Sequence, residues 1–277
     1  VNYRHAFHAG NFADVVKHVL LVLAVTHLKA KDKPFFVLDT HAGRGLYDLR
    51  GEQAGRTGEW RDGIGRLLAL AHPPPGLAPY LDAVRAVGSG LYPGSPRLVQ
   101  RLLRTDDRLF LCELHPEDAA VLRIAVGRDE RVKVETRDGY AALKAVLPPK
   151  ERRGLVLIDP PFERRDEFAA CERALREGVK RWASGTFAVW YPIKDPLEVA
   201  AFHARVADMG LGKTWHLDLY IRAAVPGRPR LDGCGFLFVN PPWPVLDAAE
   251  GLLPDLADVL AQGEGAGVRH GWLGNGD

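Results

Sequence analysis

The chain has 277 residues, 47% of them hydrophobic and 26% charged, with a formal net charge of +2. This is the composition of a folded protein large enough to bury a full core, and it excludes disorder as the main state. Three scattered cysteines, Cys112, Cys171 and Cys234, form neither a disulfide framework nor a CxxC metal pair, and no apolar run reaches the roughly 20 residues that span a bilayer, so a reducing cytoplasmic setting without membrane contact is expected.

The N-terminal residues, with Arg4, His5, His8 and Asp14 among apolar ones, do not resemble a signal peptide. From Asn11 to Ala30 the apolar residues Phe12, Val15, Val16, Val19, Leu20 and Leu23 recur at helical spacing. The run from Phe35 to Asp39 then predicts a buried strand, and Thr40-His-Ala-Gly-Arg-Gly predicts a tight turn. Further strands are expected at 109–114, 132–136, 155–159, 186–190, 215–221 and 235–239, with helices such as 168–182 and 196–209 between them. Seven strands alternating with helices imply an α/β fold with a mostly parallel sheet covered on both faces.

About 70 residues separate the first strand from the second, where a whole βαβ unit takes about 30, so a helical insertion is expected over 46–105 within a single domain spanning 1–277. Its expected parts are a helix starting within Gly58–Ala71, a proline loop from His72 to Gly76, a helix over 79–87, and a third helix after Tyr92-Pro-Gly-Ser-Pro. The segment after Leu260, with Gly263, Gly265, Gly267, Gly271, Gly274 and Gly276, reads as loop or frayed tail.

In open α/β sheets ligands bind beyond the carboxyl ends of the strands, and Asp39, Glu113, Asp138 and Asp159 all fall there. The loop Gly43-Arg-Gly-Leu-Tyr-Asp lacks the third glycine of a dinucleotide fingerprint, although it would let a cofactor approach the backbone. Glu113 is placed to accept both ribose hydroxyls of a nucleoside cofactor. Asp159-Pro-Pro-Phe carries the most specific chemistry. Two prolines force an extended backbone without amide donors, so the Pro160 carbonyl and the Asp159 carboxylate can accept the two hydrogens of an exocyclic amine while Phe162 stacks on the base. Asn240-Pro-Pro-Trp would suit the same task, but it follows the last strand of the expected set rather than the fourth, so it reads as a strand exit whose Trp243 packs on the core.

Several blocks in one order, Tyr3-Arg-His-Ala-Phe-His-Ala-Gly-Asn-Phe-Ala-Asp, Lys17-His18, Leu38-Asp-Thr-His-Ala-Gly, Tyr92-Pro-Gly-Ser-Pro, Glu113-Leu-His-Pro, Asp138-Gly and Ile158-Asp-Pro-Pro, resemble the bacterial RlmJ family. They extend over most of the chain. These enzymes transfer a methyl group from S-adenosylmethionine to N6 of one adenine in 23S ribosomal RNA. The resemblance implies a Rossmann-like methyltransferase fold in which His18, His41, Ser95, Glu113, Asp138 and Gly139 line the cofactor pocket, Asp159 is the catalytic acceptor and Tyr3 reaches the RNA. Where the family often carries Tyr, this chain has Phe162, a loss of a hydroxyl that preserves stacking.

His5, His8, His18 and His41 would suit a metal cluster if the N-terminal segment folded over the sheet, but methyl transfer from a sulfonium needs no Lewis acid, and no metal is expected. The residues by themselves leave open a DNA adenine methyltransferase and a non-catalytic RNA-binding assembly factor. Residues 240–277 hold Arg269 as their one basic side chain against Asp247, Glu250, Asp255, Asp258, Glu264 and Asp277, a net of −5, which leaves +7 for residues 1–239. Arginines and lysines near the N-terminus, in the insertion and around Arg222, Arg228 and Arg230 can therefore supply phosphate contacts, and a monomer acting on RNA is expected.

Overall fold

A computed structural model describes residues 5–228 and 230–274 of the chain. Asn11 opens helix α1 (Phe12–Lys29), its side-chain oxygen accepting from the Asp14 N–H, one of the donors that a helix start leaves without a partner. The chain then enters β1 (Phe36–Asp39), buried at all four residues. Next come β2 (Leu46–Asp48), α2 (Glu52–Thr57), α3 (Ile64–Leu68), α4 (Ala78–Arg85), β3 (Leu91–Pro93) and α5 (Ser95–Leu102). Of these, β2 and β3 pair as a separate antiparallel ribbon. There follow β4 (Arg108–Glu113), α6 (Pro116–Val126), β5 (Val132–Thr136), α7 (Gly139–Val146), β6 (Gly154–Ile158), α8 (Glu167–Arg181), β7 (Thr186–Ile193) and α9 (Pro196–Asp208). The last elements are β8 (Thr214–Tyr220), β9 (Gly233–Val239), α10 (Trp243–Leu260) and β10 (Gly267–Leu273).

The main sheet runs β10-β8-β9-β7-β6-β1-β4-β5. From β5 through β4, β1 and β6 to β7 the pairings are parallel, and β9 and β10 add antiparallel pairings beyond β7. One face packs on α1 and α10, the other on α8 and α9, so the central strands are apolar at nearly every residue. The chain steps outward from β1 to β4 and β5 and then returns to β6 on the other side of β1. The order therefore reverses beside β1, where strand ends leave a crevice for a ligand. This is the Rossmann-like α/β arrangement expected from the sequence, and among the described residues no helix is long and apolar enough to cross a membrane.

Three expectations need correction. The main sheet has eight strands rather than seven, because the glycine-rich segment expected to be loop forms β10, paired residue for residue with β8 from Gly267 against Tyr220 to Leu273 against Thr214. The alternating Val268 and Trp272 pack against the core under α10, and pairing overrides the glycine content. The helix expected from Gly58 is broken at Gly63, where a side chain would meet the Gly10 carbonyl oxygen at 2.1 Å and where Ile64 donates to that same oxygen. Trp243 does not pack on the core either: it opens α10, stays 55% exposed, and lies beside Trp272 with Lys213 over its ring.

Candidate active site

The carboxyl ends of β1, β4 and β6 and the start of α7 surround a cleft of about 800 Å3, within the range of roughly 300–1,000 Å3 that small-molecule sites occupy. Glu113 closes β4 and is aimed by two backbone donors. Gly43 donates to Oε2 at 2.9 Å and His115 to Oε1 at 2.8 Å. An ionised carboxylate offers about four lone-pair sites, so acceptor capacity remains for a pair of hydroxyls. Gly43 holds φ +61°, and a side chain there would run into the Tyr47 hydroxyl. Gly139 lets α7 start against the loop after β1, since its Cβ would fall 1.9 Å from the Thr40 carbonyl oxygen. Asp138 caps that helix by accepting from Tyr140 and Ala141. The narrow glycine cradle and the aimed carboxylate fit a nucleoside-bearing cofactor.

Across the cleft a buried charge network descends from α1. Lys17 Nζ lies 2.7 Å from Asp159 Oδ2 and 2.9 Å from Asp14 Oδ1, and His5 Nε2 lies 2.9 Å from Asp14 Oδ2. Burial works against the Lys17 ammonium, but the Asp14 and Asp159 carboxylates outweigh it and hold its pKa well above the usual lysine value. Burial likewise opposes the Asp14 charge, and His5 and Lys17 overcome it to hold that carboxyl well below its ordinary range. Asp39, only 1% exposed, is pushed up to about 7 by burial, which outweighs the hydrogen bond that Ser95 donates at 2.6 Å. His18 and His41 go the other way. Burial lowers them to about 3 and about 4, so both are neutral at physiological pH, with ring nitrogens engaged by the Tyr92 hydroxyl and the Thr40 hydroxyl respectively.

Asp159 follows β6 directly, with buried Pro160 and part-exposed Phe162 behind it. Phe162 takes φ +49° and is held edge-on by Phe168 at 5.0 Å and Trp190 at 5.9 Å. A non-glycine residue held in this backbone region is strained, and the ring contacts fix it there. Asn240 also has a positive φ, but its amide donates to the Ala183 and Gly185 carbonyls and thereby ties the β9 exit to the turn before β7.

His18, His41, Ser95, Glu113, Asp138, Gly139, Asp159, Pro160 and Phe162 all line this one cleft, and Tyr3 lies outside the described residues. Among the described residues the four N-terminal and loop histidines gather into no metal-binding group of three ligand side chains; His5 engages Asp14, His8 engages Glu59, His18 engages Tyr92 and His41 engages Thr40. The sequence by itself gives no role to Asp14 or Trp190 and offers Lys17 only among the N-terminal lysines available for phosphate contacts; all three line the cleft, and Lys17 is buried there against Asp14 and Asp159. The available signal was a polar set, Asp14, Lys17 and His18, within the first two turns of a helix whose buried residues are otherwise apolar. Lys194 and Arg222 stand at the cleft as well, where positive charge suits a polyanionic substrate.

The family described as ribosomal RNA large subunit methyltransferase D, RlmJ, matches residues 32–274. A curated relative from Haemophilus influenzae, ribosomal RNA large subunit methyltransferase J, is 40% identical over 272 residues, covering 96% of each chain. One of the same name from Escherichia coli is 41% identical over 276 residues, covering 98% of this chain and 96% of the relative. The crystal structure of a Legionella pneumophila protein is similar at a TM-score of 0.88 and 32% identity, over 96% of this chain and 98% of that one.

Proposed function

The chain belongs to the RlmJ family of ribosomal RNA large subunit methyltransferases, and from that premise we propose that it moves a methyl group from S-adenosylmethionine to N6 of one adenine in 23S ribosomal RNA. It is a ribosomal RNA methyltransferase of Rossmann-like fold. We read residues 1–277 as one catalytic domain with 46–105 as its helical insertion, working as a cytoplasmic monomer.

S-adenosylmethionine supplies an electrophilic methyl group on a sulfonium. Glu113 would hold the ribose hydroxyls, Gly43 and Gly139 would keep the walls close, and His18, His41, Ser95 and Asp138 would complete the lining of its site. On the substrate side the target adenine leaves its stack and rests against Phe162. The Asp159 carboxylate and the Pro160 carbonyl accept the two N6 hydrogens, which draws the nitrogen lone pair out of the ring and points it along the line of attack. Lys17 fixes Asp159 by binding Oδ2 and leaves Oδ1 for the amine. An amine that has gained a methyl group sheds a proton readily, and Asp159 stands within reach to take it. Tyr3 is proposed to contact the RNA.

The observation that carries this reading is the Lys17–Asp159 pair at 2.7 Å opening into the same cleft as Glu113. Incubation with a tritiated methyl donor and either unmodified 23S RNA or adenine-containing DNA tests it. Label recovered as N6-methyladenine in the RNA alone is expected. Label in DNA alone would overturn the substrate, and absence of transfer to either would leave a binding protein.

A further inference from the structure

A second cluster of ligand-type side chains lies in the antiparallel half of the sheet, and none of its members lines the cleft. His216 and Asp218 stand two residues apart on β8 and so share a face, the face from which α9 presents His203. Tyr191 of β7 reaches the same point across β9. It can do so because Gly235 pairs with both Tyr191 and Asp218, and a side chain at Gly235 would fall 2.1 Å from the tyrosine ring. The Tyr191 hydroxyl lies 2.7 Å from Asp218 Oδ1 and 2.7 Å from His203 Nε2. One donor atom each from His203, His216 and Asp218 falls within a 4.8 Å span, and the two imidazole centroids are 4.3 Å apart.

Hydrogen bonding accounts for Tyr191, His203 and Asp218 and leaves His216 over. Its Nδ1 is buried, has no hydrogen-bond partner among the described residues, and faces Asp218 Oδ2 at 3.6 Å, beyond hydrogen-bond reach. A buried polar atom left unpaired costs about 1–3 kcal/mol, so a nitrogen and a carboxylate held face to face with a gap between them call for an occupant that satisfies both. A proton on Nδ1 would make an ion pair at this distance without a hydrogen bond, whereas a cation bonded to both satisfies each.

We propose that His203, His216 and Asp218 bind one zinc ion that clamps α9 to β8. Two imidazole nitrogens and one carboxylate oxygen match the borderline preference of zinc, whereas magnesium and calcium favour all-oxygen sets. Zinc bonds of about 2.0–2.2 Å place tetrahedral ligand atoms about 3.4 Å apart. At present His216 Nδ1 lies 3.6 Å from Asp218 Oδ2 and His203 Nε2 lies 4.0 Å from the other oxygen, Oδ1, so closure takes a turn of the carboxylate that brings one oxygen between the two nitrogens. Binding through His203 Nε2 places that ring's proton on Nδ1 and frees Tyr191 to keep donating to Asp218, which orients the carboxylate as such partners do at zinc sites. The side chains of His203 and His216 remain 12% and 17% exposed, enough for an ion to enter and for water to take the fourth position. This departs from the expectation that the chain holds no metal, and it concerns the clamp rather than methyl transfer.

The test uses untagged full-length protein, stripped with a chelator, desalted and titrated with Zn(II), and in parallel with Co(II) as a spectroscopic substitute. One equivalent of zinc retained after gel filtration, a visible Co(II) band of low-symmetry coordination and a raised melting temperature are expected. His216→Gln and His203→Gln should each weaken zinc binding by about 100-fold and abolish the cobalt band while far-UV circular dichroism stays native. If one of them fails to fold, the other carries the test. No zinc retained by the wild type, or retention unchanged in a folded variant, would overturn the proposal, the second result placing the ion on other histidines.

Discussion

Removing the Lys17 ammonium would strand two carboxylates, because Asp14 and Asp159 sit against it with side-chain exposures of 2% and 12%. Breaking such a buried pair from one side costs about 3–5 kcal/mol, while removing both partners costs less than the sum. Lys17→Met is therefore expected to lower stability by roughly 3 kcal/mol in urea unfolding and methyl transfer by two orders of magnitude or more. Adding Asp159→Asn to it should cost less than the two separate losses combined. Strict additivity of the two substitutions would show that the pair does not act as a unit. The contrast with Asp159 explains what could be read beforehand. Asp159 and Glu113 each end an apolar run and Asp138 follows the alternating strand Val132-Lys-Val-Glu-Thr, local patterns visible in the sequence, and the resemblance added His18, His41, Ser95 and Gly139. Lys17 meets Asp159 across 142 residues of chain, and no spacing rule reports a contact of that range.

At the scale of elements, the order of strands and helices was legible because β1, β4 and β6 are buried on both faces and so appear as unbroken apolar runs. The main-sheet strand that escaped notice, β10, is half-buried and carries two glycines, and its strand form comes from β8 alongside it, while the short β2–β3 ribbon was hidden inside an insertion expected to be helical. The broken helix after Gly58 has a similar origin, since Gly63 is shaped by contact with Gly10 and Asn11 some fifty residues earlier. Gly139, like Gly43, shapes the wall of the cleft. Gly139→Ala must push the start of α7 away from Thr40, an overpacking expected to cost about 1–3 kcal/mol and to weaken cofactor binding measured by calorimetry. Unchanged stability and affinity would mean that the close approach of helix and loop is not needed.

For the molecule as a whole, the net charge of +2 concealed a chain whose first 239 residues carry +7, and Lys194 and Arg222 bring part of that charge to the cleft. Global stability should also carry the mark of one buried acid. The pKa of Asp39 is raised from 3.8 to about 7 when folded, so native protein keeps a proton that the unfolded chain has lost. That contribution is full below pH 4 and is lost as the pH rises through 7. Relative to Asp39→Asn, the wild type should therefore lose roughly 2 kcal/mol of unfolding free energy between pH 5 and pH 8, and a difference that stays flat with pH would contradict the buried-acid assignment. The role of Asp159 is the point on which the catalytic reading stands or falls, and paired measurement of cofactor affinity and methyl transfer in Asp159→Ala addresses it. Cofactor affinity within a few-fold of wild type, with transfer to 23S RNA reduced by about 100-fold or more, is the expected result. Methylation that survives the substitution, or a loss of cofactor binding as large as the loss of transfer, would contradict it.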